Sequence, residues 1–183
     1  QDEWATHYMQ ARERSEFHAP DYPLFYGILR ALYSQRDNTD MSRDITEAQK
    51  FIRDSSRAKW LTTLTRVKYM PTGLDTVVHN VGTSDVYERK VNFVNPDELV
   101  KDAKTSEPYR ALLDTEDSAT EINNVFKWLN GTDTRLYRVN SRPKDIDERV
   151  ARFGAGSGRA GLVCYWGPGD RDSALGVRVR AKF

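Results

Sequence analysis

Apolar side chains recur at helical spacing up to about residue 57, and from Lys59 onward they alternate along the chain. A chain that switches from a 3.6-residue to a two-residue period keeps its helices and most of its strands in separate stretches. That order, helices first, then a mixed stretch, then a run of strands, predicts α+β architecture rather than a doubly wound sheet.

The helical part, residues 1–57, holds three amphipathic stripes. Trp4, Tyr8 and Ala11 form the first; Leu24, Phe25, Ile28, Leu29 and Leu32 the second; Ile45, Ala48, Phe51 and Ile52 the third. Asp21 is placed to cap the second helix. Strands are then predicted over Leu61–Tyr69, Thr76–Val81 and Tyr87–Phe93, the first two separated by Pro71-Thr72-Gly73. A brief helical turn is expected at Tyr109–Leu113. Ser118 and Glu121 form a capping box for a helix with Ile122, Val125, Phe126 and Leu129 on one face, ended by Asn130-Gly131. The remainder reads as short strands over Arg135–Val139, Arg149–Phe153, Ala160–Trp166 and Leu175–Ala181.

Composition narrows the class. The 183 residues carry a net charge of +1, with four Trp, nine Tyr and seven Phe, which is material for one folded domain over 1–183 that needs neither disulfide nor metal. No apolar run approaches the length of a membrane-spanning helix, and no signal peptide is present; the chain begins at Gln1 rather than Met, compatible with a trimmed upstream segment. Cys164 is the single cysteine, so an internal disulfide is excluded, and its Leu162-Val163-Cys164-Tyr165 setting predicts an inward-facing thiol.

Several patterns are weighed and set aside. Gly156-x-Gly158-x-x-Gly161 has the letters of a dinucleotide-binding turn, but Leu162 to Trp166 after it is too short and too β-like to be the required helix. His7, His18 and His79 are scattered, and Asp145-x-Asp147-Glu148 lacks the rest of a calcium loop. No metal and no cofactor is expected. Residues 149–183 hold seven basic side chains against Asp170 and Asp172, a local +5 that leaves −4 on the rest. A basic end with Tyr165 and Trp166 is one way to bind nucleic acid, yet Arg178 and Arg180 alternate with Val177 and Val179 as on an outward strand face. Nucleic acid is therefore not the expected partner.

One resemblance bears on function. Arg149-Val150-Ala151-Arg152-Phe153-Gly154-Ala155-Gly156 leads through a glycine-rich loop and a short strand to Pro168 and then Leu175-Gly176-Val177-Arg178. This resembles the C-terminal part of the C-type lectin fold as used by the formylglycine-generating enzymes and by the variable proteins of diversity-generating retroelements. The match spans residues 149–179, and Phe153-Gly154-Ala155-Gly156 stands where the enzyme relatives have Gly-Gly-Ser-Trp. The resemblance implies a C-type lectin-type fold with N-terminal helices and a C-terminal set of short antiparallel strands. It also implies a ligand-binding protein, of receptor or adhesin type, whose terminal segment is rewritten by retroelement mutagenesis and acts at a virus or cell surface. The enzyme branch, which resembles a copper-thiolate chemistry on paired cysteines, is poorly served by Cys164 alone, so a non-enzyme is expected. A formylglycine-generating-like remnant and a basic nucleic-acid-binding domain are the alternatives.

Strand alternation then assigns the faces. Phe153, Leu162, Cys164, Leu175 and Val177 are predicted to face the core. Gly154, Gly156, Ser157, Arg159, Gly161, Val163, Tyr165, Trp166, Gly167, Gly169, Asp170 and Arg171 are predicted to form one exposed, contiguous surface for a protein or glycan ligand.

Overall fold

The computed structural model describes residues 17–156, 158–169 and 177–178, with Phe17–His18 and Val177–Arg178 described as backbone. The predicted helix around Trp4–Ala11 lies outside these residues, as do Ser157, Asp170, Arg171 and Leu175. In order, the chain forms β1 (Phe17–His18), α1 (Tyr22–Ser34), α2 (Ser42–Ala58), β2 (Leu61–Tyr69), β3 (Asp75–His79), β4 (Tyr87–Val91) and β5 (Glu98–Leu99). Then follow α3 (Glu107–Leu113), α4 (Ala119–Asn130), β6 (Thr134–Tyr137), β7 (Asp147–Gly156), β8 (Arg159–Trp166) and β9 (Val177–Arg178). The architecture is α+β.

The helices start and stop where side-chain chemistry dictates. Asp21 caps α1 by accepting from Leu24 N at 2.9 Å. Ser118 and Glu121 close the capping box of α4, and Gly131 ends that helix at φ 79°, a conformation open to glycine without strain. The buried stripe of α1 is Tyr22, Phe25, Tyr26 and Leu29, rotated from the expected face: Leu24 stands 36% exposed, and the two tyrosines fill the interior instead. Their hydroxyls find acceptors, Tyr22 on the Arg152 carbonyl and Tyr26 on Asp117 at 2.8 Å, which lets phenols pack in a core. On α2, Ile45, Ile52 and Ser56 are buried while Phe51 faces solvent.

Seven strands form one sheet in the order β4-β3-β2-β7-β8-β6-β5, and β1 pairs with β9 separately. All neighbours in the sheet are antiparallel except β6 and β8, which run parallel. The terminal strands β7 and β8 pair antiparallel, as expected, and sit in the middle of the sheet between β2 and β6, the last of which runs parallel to β8. The sheet curls until its ends communicate, with Asn95 N beyond β4 donating to Val139 O beyond β6. Asp75, fully buried, anchors the curl: its carboxylate accepts from Met70 N (2.9 Å), Phe93 N (2.8 Å), Val94 N (3.1 Å) and the Arg142 guanidinium.

Helices cover one face. Phe153 of β7 lies 5.5 Å from Phe25 of α1 and 5.1 Å from Phe126 of α4, ring centre to ring centre. Leu61, Val67, Leu136, Ala151, Leu162 and Cys164 complete that layer. A polar chain stitches the layers together. Tyr22 N donates to Thr65 Oγ1 at 2.9 Å, the Thr65 hydroxyl lies 3.0 Å from His79 Nδ1, and His79 Nε2 lies 2.9 Å from the Ala111 carbonyl of α3. A carbonyl only accepts, so Nε2 carries the proton and Nδ1 receives the threonine's.

Candidate functional site

The glycine-rich segment is a tight hairpin. Gly156 of β7 pairs with Arg159 of β8, and Gly158 between them has φ 80°. Its three glycines serve strand pairing and a turn, and no helix follows, as the sequence predicts against a nucleotide site. The hairpin continues through the pairs Gly154 with Gly161 and Arg152 with Val163. Beyond Val163 the register shifts, so that Val150 pairs with Trp166 and β8 carries one residue more than its partner. A bulge of this kind lets consecutive side chains share a face. Tyr165 and Trp166 do so, their rings stacked at 6.1 Å and 20°.

Phe153, Leu162 and Cys164 are buried, as predicted. The expectation for the opposite face is corrected at three positions: Val163 is wholly enclosed, and Gly154 and Gly161 are buried. The reason is steric. A methyl group at Gly154 would overlap the Trp60 ring, and one at Gly161 would come within 2.7 Å of Tyr137 Cε2. Each glycine is a seat for a ring from a neighbouring segment, Trp60 just before β2 and Tyr137 of β6, a packing device that alternation alone does not reveal. The single contiguous surface is also corrected. Gly156 and Arg159 are exposed at the hairpin tip; Tyr165 and Gly169 are exposed, and Trp166 and Gly167 half-buried, at the opposite end of β8, about 20 Å away at strand rise.

Trp60, Tyr137 and Arg135 belong to this face and were missed. Trp60 lies just before β2, and the alternating burial of β6 turns Arg135 and Tyr137 outward while Thr134 and Leu136 go inward. The β2–β7 pairing brings Trp60 beside the hairpin and the β6–β8 pairing brings Arg135 and Tyr137 there, and their sequence neighbourhood carries no sign of it. Tyr137 meets Tyr165 edge-on at 6.4 Å and 81°, and the Arg152 guanidinium lies 4.9 Å from the centre of the Trp166 ring. Trp60, Tyr137, Tyr165 and Trp166 thus lie on one face of the sheet.

The charges divide into spent and unspent. Arg149 pairs with Asp147 at 2.7 Å and donates to the Tyr165 carbonyl at 3.1 Å; Arg66 pairs with Glu148 at 2.6 Å. Arg135 and Arg159 have no ion-pair partner among the described residues. Burial pushes the Cys164 thiol well above its ordinary range, slightly opposed by the charge of Arg138, so the enclosed sulfur stays protonated. Among the described residues no group of three or more His, Cys, Asp or Glu is placed to hold a metal ion. Nor, among them, is any helix long and apolar enough to cross a membrane.

Comparison with protein-family models, curated proteins and solved structures gives no match in any of the three.

Proposed function

We propose that this chain is a ligand-binding protein, of receptor or adhesin type, that engages a protein or glycan through the Tyr165–Trp166 end of β8. The observation that carries this reading is the ring cluster there: Tyr165, 42% exposed, is stacked on Trp166 and met edge-on by Tyr137, one residue beyond a fully enclosed Cys164. Rigid rings offer contact area at little cost in rotamer freedom, and side chains beyond the packed part of a strand can change without disturbing the core. The finer assignments rest on the resemblance of residues 149–179: a C-type lectin-type fold, diversification of the terminal segment by a retroelement, and action at a virus or cell surface. The enzyme alternative draws no support from Cys164, whose thiol is enclosed and held protonated.

Two experiments test the reading. Arrays of immobilised glycans and surface proteins, probed with the wild-type chain and with Tyr165→Ala, should show signals that disappear in the variant; identical profiles would remove Tyr165 from the binding surface. Sequencing around the 3′ end of the gene should find a nearby template repeat differing only at adenines. A genome without such a repeat would end the diversification part and leave the binding part standing.

A further inference from the structure

We propose that the end of the molecule around the β7–β8 hairpin docks on an anionic phospholipid surface, with Trp60 among the headgroups and Arg57, Lys59, Arg135 and Arg159 facing the phosphates. This goes beyond the binding reading above and does not depend on it. The ends of several elements meet there. Leu61, the first residue of β2, pairs with Phe153, and the hairpin closes just beyond through Gly156 and Arg159. β6 enters beside it, with Thr134 opposite Ala160. The last turn of α2 reaches the end of α4, where the Arg57 guanidinium donates to the Asn130 carbonyl at 3.2 Å.

The charge at this end is one-sided. Lys101 and Lys127 join the four cations, against Asp102 and Asp133, a surplus of four where the whole chain carries only +1. The Asp133 carboxylate is engaged by Lys101 at 2.6 Å, Lys127 at 3.0 Å and Asn123 at 3.1 Å. One turn back along α2, Asp54 is taken by Lys50 at 2.8 Å. Lys59, Arg135 and Arg159 have no ion-pair partner among the described residues, and Arg57 meets a neutral carbonyl. The unspent charge therefore comes from α2, β6 and β8 together, spread around the hairpin.

Trp60 supplies the apolar part. It is 38% exposed, and its six-membered ring fills the space over Gly154, so the ring is held at a fixed height beside the cations. Indole rings settle at the headgroup level of a bilayer, where an apolar body and a polar N–H are both accommodated. The tip itself stands in open space, since a methyl group at Gly156 or Gly158 would meet nothing within 4 Å. A single sugar or nucleotide is held by a concave site that encloses it, and a nucleic acid strand by successive stacking rings. A protruding tip with one aromatic anchor and dispersed cations instead suits a broad negative leaflet. Docked in this way, the chain holds the Tyr165–Trp166 end of β8, about 20 Å along the strand, on the side away from the membrane.

The test measures partitioning onto vesicles of phosphatidylcholine alone and of equal parts phosphatidylcholine and phosphatidylglycerol, with an eight-residue oligothymidylate as competitor. The wild-type chain is expected to bind the anionic vesicles at least tenfold more strongly than the neutral ones, with its tryptophan emission shifted to the blue and quenched by brominated lipid. Each basic side chain close to an anionic leaflet contributes about fivefold, so Arg135→Gln with Arg159→Gln should weaken that binding at least tenfold. Trp60→Phe should remove the blue shift and most of the quenching. Thermal melts of each variant separate loss of binding from loss of fold; if Trp60→Phe melts early for want of its seat on Gly154, the arginine pair, which leaves no bonded partner behind, decides alone. Equal binding to the two kinds of vesicle, binding to neither, or indifference to the arginine substitutions overturns the proposal. So does an unchanged blue shift in a folded Trp60→Phe. Oligothymidylate that strips the chain from the anionic vesicles at an equal concentration of negative charge assigns the same cations to nucleic acid and overturns it as well.

Discussion

At the scale of single residues, the two paired glycines of the hairpin decide how the outer face is built. Gly154 lies under Trp60 and Gly161 under Tyr137, so an added methyl must displace an aromatic ring. Gly154→Ala and Gly161→Ala should each destabilise by about 1–3 kcal/mol, the usual cost of overpacking, measured by denaturant melts. Gly154→Ala should also shift the tryptophan emission as Trp60 is lifted from its seat; an unperturbed spectrum with full stability would mean that the ring is not held there. Cys164 gives the converse case. With its thiol enclosed and pushed up by burial, Cys164→Ser buries a hydroxyl and should cost about 1–3 kcal/mol. A thiol reagent should label the native chain no faster than the chain unfolds. The inward thiol was legible in the sequence because it shares a face with Leu162; the glycine seats were not, because the rings that fill them come from residues 60 and 137.

Among the elements, the helices and long strands were legible wherever chemistry is local: a cap, a period, a glycine stop. Ser118, Glu121 and Gly131 bound α4 where the sequence places it, and β2 begins at the predicted residue. Two kinds of element escaped. The short strands β1 and β5 carry two residues each, too few for any period, and the parallel pairing of β6 with β8 is a long-range choice. The link through His79 between β2, β3 and α3 is long-range too, and it makes the fold sensitive to pH. Burial lowers the pKa of His79, partly offset by its bond to the Ala111 carbonyl and by Asp114, while Arg89 adds to the lowering. The folded state therefore takes up its proton less readily than the unfolded chain, whose imidazole titrates near 6.5. Stability from this group is present above that value and is lost as pH falls below it, at up to about 1.4 kcal/mol per pH unit. Denaturant midpoints taken at pH 7.5 and 5.5 should drop more for wild type than for His79→Gln, whose side chain does not titrate in this range. Equal drops would assign the pH dependence to other groups. Asp21, raised by burial, acts with the opposite sign because its folded form holds a proton more readily, so it does not supply the drop.

For the whole molecule, the α+β class follows from the change of period at Lys59, since helices and a curled sheet must bury their apolar faces against each other. The faces of β8 were half legible for the same reason. Alternation finds the inward side from Leu162 and Cys164, but whether the outward side meets water depends on the strand's place in the sheet. With β7 on one edge and β6 on the other, β8 is a central strand, and its outward residues Gly161 and Val163 are covered. Beyond them the chain emerges at the bulge, at Tyr165. Core and surface functions are thus separated along the strand as well as across it, and substitutions should separate in the same way. Leu162→Ala removes a fully enclosed side chain packed in the layer with Phe153 and should cost about 2–5 kcal/mol. Val163→Ala, on the opposite face and equally enclosed, should also destabilise, by a smaller amount because fewer methyl groups are lost. Tyr165→Ala deletes a ring that makes one edge contact and one stacking contact at the margin of the fold, and should change stability by no more than about 1 kcal/mol. Its effect should instead fall on binding, where losing a hot-spot aromatic costs about 2 kcal/mol or more. Denaturant melts and affinity for an array-identified ligand, measured on the three variants together, put the division between Val163 and Tyr165. If Val163→Ala instead leaves stability unchanged and weakens binding, the outward face is open to ligand along its whole length, and the ring-filled glycine seats do not close it.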